Sequence, residues 1–404
     1  MPEKALAADA QMLNSKVRIV LVGSRGIPAK YGGNEVFVEE LSKGLVKNGI
    51  KVYVTCESGK FYEDTYEGIR RIHIPSIEGK VITIPIINDM MATIYLLIKY
   101  RNKFDVIYYV APDGSLPAII AKLFGKKVLI NPDGIEWKRP LIRLKYLPFY
   151  LKILSLPLTL LLWILEMLSV KVPDITIADS YEIKKYLENK YKAKKVVFIP
   201  YGVRILLNNN PSEDRECNIL KNLGLSSQGY YLTVARIVPE NNIHIEIEGF
   251  KKSNSNKMLV IVGNFSTKDS YTRLLLKMKG NSNQIRFMNP IYDKEILGVL
   301  RENCFAYIHA YSVGGTNPSL LEAMSMENII LAHDNEFNRE VCGDAGIYFK
   351  DAEELKEWIE SIEKMPGKYA NMKDEAYSRA MKNYSWEKIV TEYYNLFADI
   401  EADQ

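Results

Sequence analysis

Short apolar runs of strand length recur along this 404-residue chain, separated by stretches with helical spacing. The first, Val17–Val22, is closed by Gly23, and others follow at Val52–Cys56, Val106–Val110, Val128–Ile130, Ile175–Ala178 and Val196–Ile199. Between them lie helical patterns such as Val38, Leu41 and Leu45, which share one face. Strand alternating with helix predicts a parallel sheet covered on both sides. The pattern loosens into a polar stretch over 206–216, which reads as a linker. It restarts at Tyr230–Val234, Met258–Val262, Ile285–Phe287, Phe305–Ile308, Ile329–Ala332 and Ile347–Phe349. Two α/β domains are therefore expected, 17–205 and 225–383, with a tail helix over 384–404. Residues 1–16 are polar, lack the apolar stretch of a secretory signal, and read as a disordered lead-in.

One stretch departs from this pattern. Residues 141–170 are dense in leucine, carry Trp163, and are flanked by Lys and Arg. Pro148, Lys152 and Pro157 interrupt the stretch, and the uncharged run Ile153–Leu165 is too short for a bilayer core of about 30 Å. An interfacial helix pair fits, with its apolar side in lipid and its Lys, Arg and Trp at the headgroups. The alternative is a helical hairpin buried in the first domain.

Composition narrows the function only a little. With 53 basic and 49 acidic residues the net charge is +4, too small to point to nucleic acid. Cys56, Cys217, Cys304 and Cys342 lie far apart and form no CxxC. They read as buried free thiols of a cytoplasmic protein, peripheral on the inner face of the cell membrane if 141–170 meets lipid.

The chemistry-bearing residues follow strands. After the first strand come Gly23, Arg25, Gly26, Lys30, Tyr31, Gly32, Gly33, Asn34 and Glu35, then a helix. Glycines let the backbone approach an anion, and the helix start presents free N–H groups. The spacing is not GxGxxG, and with the second strand ending at Cys56 no acidic residue closes it, so a dinucleotide site is poorly supported. A plain tight turn is the alternative. In the second half a strand ending at His309 leads to Gly314, Gly315, Thr316, Asn317, Pro318, Ser319, Leu320 and Glu322. Asn317 before Pro318 is a good helix start, at which a diphosphate would be attracted. Glu322 either reaches sugar hydroxyls or is a solvated helix carboxylate. Arg236 follows the strand Tyr230–Val234 and suits phosphate, or is a surface arginine. His309 is either a donor-sugar contact or structural, and Ser180 either lines the site or caps the next helix.

These elements, in this order, resemble the retaining glycosyltransferase family 4 of GT-B fold, from about Val17 to Glu387. More narrowly, Gly23–Glu35, Asp133–Arg139, Pro239–Ile243 and Ser312–Glu322 look like bacterial rhamnosyltransferases of capsule and cell-wall polysaccharide synthesis. The resemblance implies two Rossmann-like domains facing a cleft, with the C-terminal helix crossing back to the first domain. It implies transfer of L-rhamnose from dTDP-rhamnose to a polyprenyl-diphosphate-linked saccharide, with UDP as the other candidate nucleotide. Gly32 and Gly33 would face the donor diphosphate and the acceptor, and Arg236 would neutralise the leaving diphosphate. Glu322 would bind the ribose, and the amides from Asn317 through Ser319 to Leu320 would hold phosphate, with His309, Gly314, Gly315 and Thr316 lining the donor. Asp133 lies where many relatives carry a catalytic histidine; it otherwise reads as a loop cap. Arg25, Tyr31, Asn34, Glu35, Trp137 and Arg139 are acceptor-side candidates.

Two residues depart from the family. Gly314 stands where the family has a glutamate, and Asn241 where it has a lysine. The first puts a double displacement through that glutamate in doubt. No Asp-x-Asp occurs, so no metal or other cofactor is expected. An acceptor-independent epimerase or hydrolase of nucleotide sugars, and a non-catalytic nucleotide-sugar-binding partner at the membrane, are the alternatives.

Overall fold

The computed structural model describes residues 17–29, 32–77, 79, 83–147, 149–193, 195–203 and 213–402. The expectations for 1–16, Lys30, Tyr31 and the first part of the linker lie outside the described residues. Eight strands form one sheet: β1 (Arg18–Val22), β2 (Lys51–Ser58), β3 (Tyr62–Tyr66), β4 (Ile69–Pro75), β5 (Val106–Tyr109), β6 (Lys127–Ile130), β7 (Ile175–Ala178) and β8 (Val196–Phe198). Their order is β3-β4-β2-β1-β5-β6-β7-β8. Six more form a second sheet: β9 (Tyr230–Val234), β10 (Met258–Val262), β11 (Ile285–Met288), β12 (Ala306–His309), β13 (Ile330–His333) and β14 (Gly346–Phe349). Its order is β11-β10-β9-β12-β13-β14, parallel throughout.

The helices up to the linker are α1 (Gly33–Lys47), α2 (Thr83–Lys99), α3 (Ser115–Leu123), α4 (Lys138–Arg143), α5 (Phe149–Lys171) and α6 (Tyr181–Tyr191). Beyond it come α7 (Glu213–Asn222), α8 (Ile243–Lys252), α9 (Ser270–Lys279), α10 (Lys294–Glu302), α11 (Pro318–Met324), α12 (Glu336–Cys342), α13 (Ala352–Lys364), α14 (Asn371–Tyr384) and α15 (Trp386–Ala402). The polar stretch read as a linker thus holds the start of α7, whose buried Leu220 is part of a core.

The chain divides into two compact units. One is Met1–Asn131, Leu168–Ile177 and Trp386–Gln404; the other is Pro132–Met167 and Ala178–Ser385. In the first, near-continuous apolar strands bury both faces, as parallel strands under helices must. Val20, Val22, Ile107, Val128 and Ile130 meet Leu96 and Leu97 of α2 and Ala118 and Ala121 of α3. In the second, alternate residues serve opposite faces. Tyr230, Leu232, Val260 and Tyr307 pack with Leu320 and Leu321 of α11 and Ala376 and Ala380 of α14. Tyr231, Leu259, Ile261 and Ile308 pack with Ile243 and Ile247 of α8 and Leu355 and Ile359 of α13. Each such fully buried aliphatic side chain contributes about 1.5–3 kcal/mol.

The tail returns to the first unit. Ser385 is extended (φ −65°, ψ 143°) and separates α14 from α15. On α15, Tyr393 shares a 2.8 Å hydrogen bond with Tyr108 and packs on Phe37 at 5.9 Å. Gly44 of α1 lets Val390 approach so closely that a Cβ there would lie 2.2 Å from it. Two findings correct the sequence reading. Strands β3 and β4 were not foreseen, because Tyr62–Tyr66 is polar edge sequence with no apolar alternation. Their signals are the turn Glu67-Gly68, both at positive φ (48° and 80°), the backbone of a two-residue hairpin, and the buried Ile69, Ile72 and Ile74 of β4. The leucine-rich stretch is not a helix pair: residues 149–171 form the single helix α5, with Pro157 inside it.

Candidate functional site

In the second unit, the segment after β12 leads into α11, and its start is fastened to two strands. Asn317 accepts a hydrogen bond from Ser319 N (3.0 Å), a cap worth about 1 kcal/mol. Ser319 Oγ donates to Val234 O at the end of β9 (3.0 Å) and pairs with Tyr307 Oη (2.6 Å). Leu320 is buried beneath the same turn.

The loop before α11 is shaped by close backbone approaches. Gly314 has φ +124°, and a Cβ on it would lie 2.6 Å from Tyr311 Oη, which accepts from Arg139 Nη2 at 3.0 Å. A glutamate at 314 therefore has no room while Tyr311 stands there. A Cβ on Gly134 would lie 3.2 Å from Gly314 Cα, and Gly134 itself has φ +86°. Asp133 beside it has φ +49°, uncommon for a residue with a side chain, and its Oδ1 accepts from Tyr201 Oη at 3.2 Å. The structure thus brings Asp133, Arg139, Gly314 and Gly315 together. Arg139 also pairs with Glu136. Burial opposes its charge, but Glu136, Tyr311 and Asp133 outweigh that and hold it protonated.

Asp179, which the sequence reading passed over in favour of Ser180, is part of this group. A Cβ on Gly315 would fall 2.1 Å from its Oδ1, and Thr316 Oγ1 donates to its carbonyl at 2.5 Å. Its carboxyl is pushed well above the usual carboxylate range by burial, reinforced by Asp133 and Glu340. Ser180 caps α6: its Oγ accepts from Glu182 N and Ile183 N while donating to Glu340 Oε2 at 2.6 Å.

Arg236 is exposed, and its guanidinium makes no hydrogen bond or ion pair among the described residues. Its loop is braced instead. Asn241, at the lysine position, donates to Arg236 O at 2.6 Å, and fully buried Glu240 takes both Nε (3.1 Å) and Nη2 (2.5 Å) of Arg143. Both family departures are therefore built into the packing. Glu322 is paired with Arg301, which is 3% exposed on the inner face of α10. No periodicity marked Arg301, since an arginine at a core position breaks the pattern. His309 is buried with Nε2 unpaired, and burial, with help from His333, lowers its pKa to about 3.

In the first unit, Gly32 and Gly33 are exposed at the start of α1, and Asn34 lies in its first turn. Glu35 is buried and organises the loop, accepting from Gly32 N (3.0 Å) and Arg25 N (3.5 Å). Arg25 itself is exposed. β2 runs on to Ser58, so Glu57 does close the second strand; the sequence reading stopped at Cys56 too early. Trp137 is engaged in the second unit, donating from Nε1 to Tyr186 Oη (2.9 Å) under the Lys190 ammonium. Of the four cysteines three are buried as expected, but Cys217 is exposed on the polar side of α7.

Residues 217–379 match the family described as "Glycosyl transferases group 1", and residues 16–204 match a "Domain of unknown function (DUF1972)". The chain is similar to an uncharacterized glycosyltransferase of Methanocaldococcus jannaschii, 25% identical over 408 residues that span 95% of this chain and 98% of the relative. Its fold is similar to a sucrose-phosphate synthase of Thermosynechococcus elongatus, with TM-score 0.79 and 16% identity over 96% of this chain and 100% of that one. It is also similar to Anabaena HepE in complex with UDP-glucose, with TM-score 0.71 and 15% identity over 96% and 99% of the two chains. The class is therefore a two-domain α/β protein of GT-B fold. Within it, residues 217–379 of this chain are similar to glycosyl transferases group 1.

Proposed function

We propose that this protein transfers a sugar from a nucleotide-diphosphate donor to a hydroxyl of a lipid-linked saccharide. L-Rhamnose from dTDP-rhamnose is the preferred donor and the UDP sugars the alternative. The observation that carries the reading is Arg236, an exposed guanidinium with no partner among the described residues, on a loop held by Asn241 and Glu240. A cation on a braced loop, not engaged by any neighbouring carboxylate among the described residues, is available to stabilise a leaving diphosphate. The dipole of α11 adds to it, and Glu322, oriented by Arg301, takes ribose hydroxyls.

In the reaction the donor C1–O bond to diphosphate breaks as the acceptor oxygen bonds to C1 on the same face. The acceptor proton passes to the departing phosphate oxygen. This keeps the donor configuration without a covalent intermediate, in line with Gly314, where no glutamate fits. Asp133, in its constrained conformation, contacts the reacting sugar or the acceptor. No metal or other cofactor enters these steps.

The acceptor is held at a membrane surface, which α5 meets. Phe149, Ile153, Leu156, Leu160 and Trp163 are exposed at spacings of four and three, forming one apolar stripe. α5 is long and apolar enough to cross a bilayer by length and composition, but its Glu166 is tied to the protein. Glu166 Oε1 accepts from Tyr186 (2.7 Å), Tyr191 (2.6 Å) and Lys190 (3.2 Å), which favours a helix lying on the surface over one that spans it.

The test is incubation with dTDP- and UDP-sugars, with and without polyprenyl-diphosphate-linked saccharides. Acceptor-dependent release of the nucleotide diphosphate supports the reading. Equal turnover without acceptor overturns it in favour of a hydrolase or epimerase.

A further inference from the structure

Among the described residues, a buried carboxyl in the first unit has no hydrogen-bond partner. Asp89 of α2 is 7% exposed, and its Oδ2 is fully enclosed without a hydrogen bond. Leaving such a group unsatisfied costs stability, so its retention calls for a reason. It borders a cavity of about 20 Å³ at the carboxyl ends of β1, β2 and β4. Ser24, Thr55, Glu57, Ser76 and Asn88 complete the polar lining.

This space holds one water-sized group and no more. The wall is built and held in place. Asn88 Nδ2 donates to Glu57 Oε1 at 3.1 Å, and its Oδ1 accepts from Ile77 N at 2.9 Å, tying the end of β4 to α2. Glu57 N donates to Arg25 O at 3.0 Å, which fixes the loop carrying Ser24. The backbone of Gly23 closes over the carboxyl, since a Cβ there would stand 3.4 Å from Asp89 Oδ2.

The lining contains two carboxyls, three hydroxyls and an amide, and no Lys, Arg or His. It repels an anion, so it is unsuited to the donor diphosphate. Among the described residues no three His, Cys, Asp or Glu side chains group as metal ligands. What fits is an uncharged group that both donates and accepts hydrogen bonds and is the size of water, a hydroxyl. A carboxylate closing the second strand of an α/β sheet is well placed for hydroxyl recognition, and Glu57 stands there. Burial pushes the Asp89 carboxyl well above its usual range, with Asp113 and Glu57 adding to the effect. Protonated, the carboxyl can both donate and accept a hydrogen bond.

We infer that this cavity is a saccharide subsite in which Asp89 receives one hydroxyl of a neutral sugar while Glu57 and Ser24 engage its neighbours. The inference rests on the glycosyltransferase reading, for which it names acceptor-side residues.

Saturation-transfer NMR of the full-length protein tests it. The probes are D-glucose, D-galactose, L-rhamnose and N-acetylglucosamine, each with UDP present, against wild type, Asp89→Asn and Asp89→Leu. Titrations with UDP and dTDP run alongside, with thermal melting of each variant. At least one monosaccharide should bind wild type and Asp89→Asn, whose amide still donates and accepts, and lose about tenfold or more in affinity in Asp89→Leu, as one lost hydrogen-bonded contact predicts. Nucleotide affinity should stay the same in both variants, and the melting temperature of Asp89→Leu should hold or rise, because there the unsatisfied group is removed. Equal sugar binding by wild type and Asp89→Leu, no sugar binding to wild type, or a lower melting temperature in Asp89→Leu overturns the subsite. Failure of both nucleotides to bind wild type overturns the glycosyltransferase reading instead.

Discussion

Arg301, buried on α10, grips the carboxylate of Glu322 on α11. The pair couples a core position to the residue expected to read the donor ribose. The Arg301 Nε is itself buried without a partner among the described residues, so the guanidinium depends on this contact. Replacing Arg301 by Met keeps the volume but releases Glu322, and UDP affinity should fall about tenfold by calorimetry. Glu322→Gln leaves the arginine charge unmatched. It should cost about 1–3 kcal/mol in urea unfolding, moderated because Glu322 is partly exposed. Unchanged stability in Glu322→Gln would show that the pair orients nothing.

Gly315 and Asp179 should be coupled. A methyl group at 315 would meet the Asp179 carboxyl at 2.1 Å, so Gly315→Ala should lose about 1–3 kcal/mol by overpacking. Asp179→Ala opens that space, and the double variant should be more stable than the two single losses added together. Strict additivity in denaturant unfolding would contradict the contact.

Stability should fall between pH 5 and 8 because of Glu246. Its side chain is fully buried beneath β9, and burial raises its pKa to about 8 against the help of Thr233 and the Ala310 backbone. Below the ordinary value of 4.5 both folded and unfolded chains hold the proton. As pH rises toward 8, only the folded protein keeps it, which costs up to about 1.4 kcal/mol per pH unit before levelling off. Glu246→Gln should remove this slope in melting curves; an unchanged slope places its origin elsewhere.

The apolar stripe on α5 should carry the protein to lipid. Exchanging Leu160 and Trp163 for serine should abolish flotation with anionic vesicles while leaving the melting temperature within a few degrees, since both side chains are exposed. Loss of fold in this variant, or no flotation of wild type, would make α5 an ordinary packing helix.

The fold was legible because parallel strands are buried on both faces and appear as unbroken apolar runs, from Val17–Val22 to Ile347–Phe349. What escaped was polar or irregular. β3 and β4 carry Asp64 and Arg71 in a 2.6 Å ion pair, and the buried Ile69, Ile72 and Ile74 of β4 are interrupted by Arg70, Arg71 and His73, so no unbroken apolar run marks either strand. At the site, Arg236, Glu322 and the Asn317 cap could be named from local sequence, since each belongs to a strand-to-helix connection. Arg301, Asp179 and Tyr311 could not. Their roles arise from packing against Glu322, Gly315 and Gly314, and proximity across elements has no signature in a linear pattern. Trp137 was named from the family resemblance as an acceptor-side candidate, and its indole N–H is occupied by Tyr186.

The central claim is a nucleotide-sugar site centred on Arg236. Isothermal titration of UDP, dTDP and their sugars into wild type, Arg236→Ala and Glu322→Ala tests it most directly. One nucleotide should bind at one site per chain, and Arg236→Ala should weaken it at least tenfold without lowering the melting temperature, because the side chain is exposed and unpaired among the described residues. Absence of binding by every nucleotide, or equal affinity in wild type and Arg236→Ala, would contradict the account.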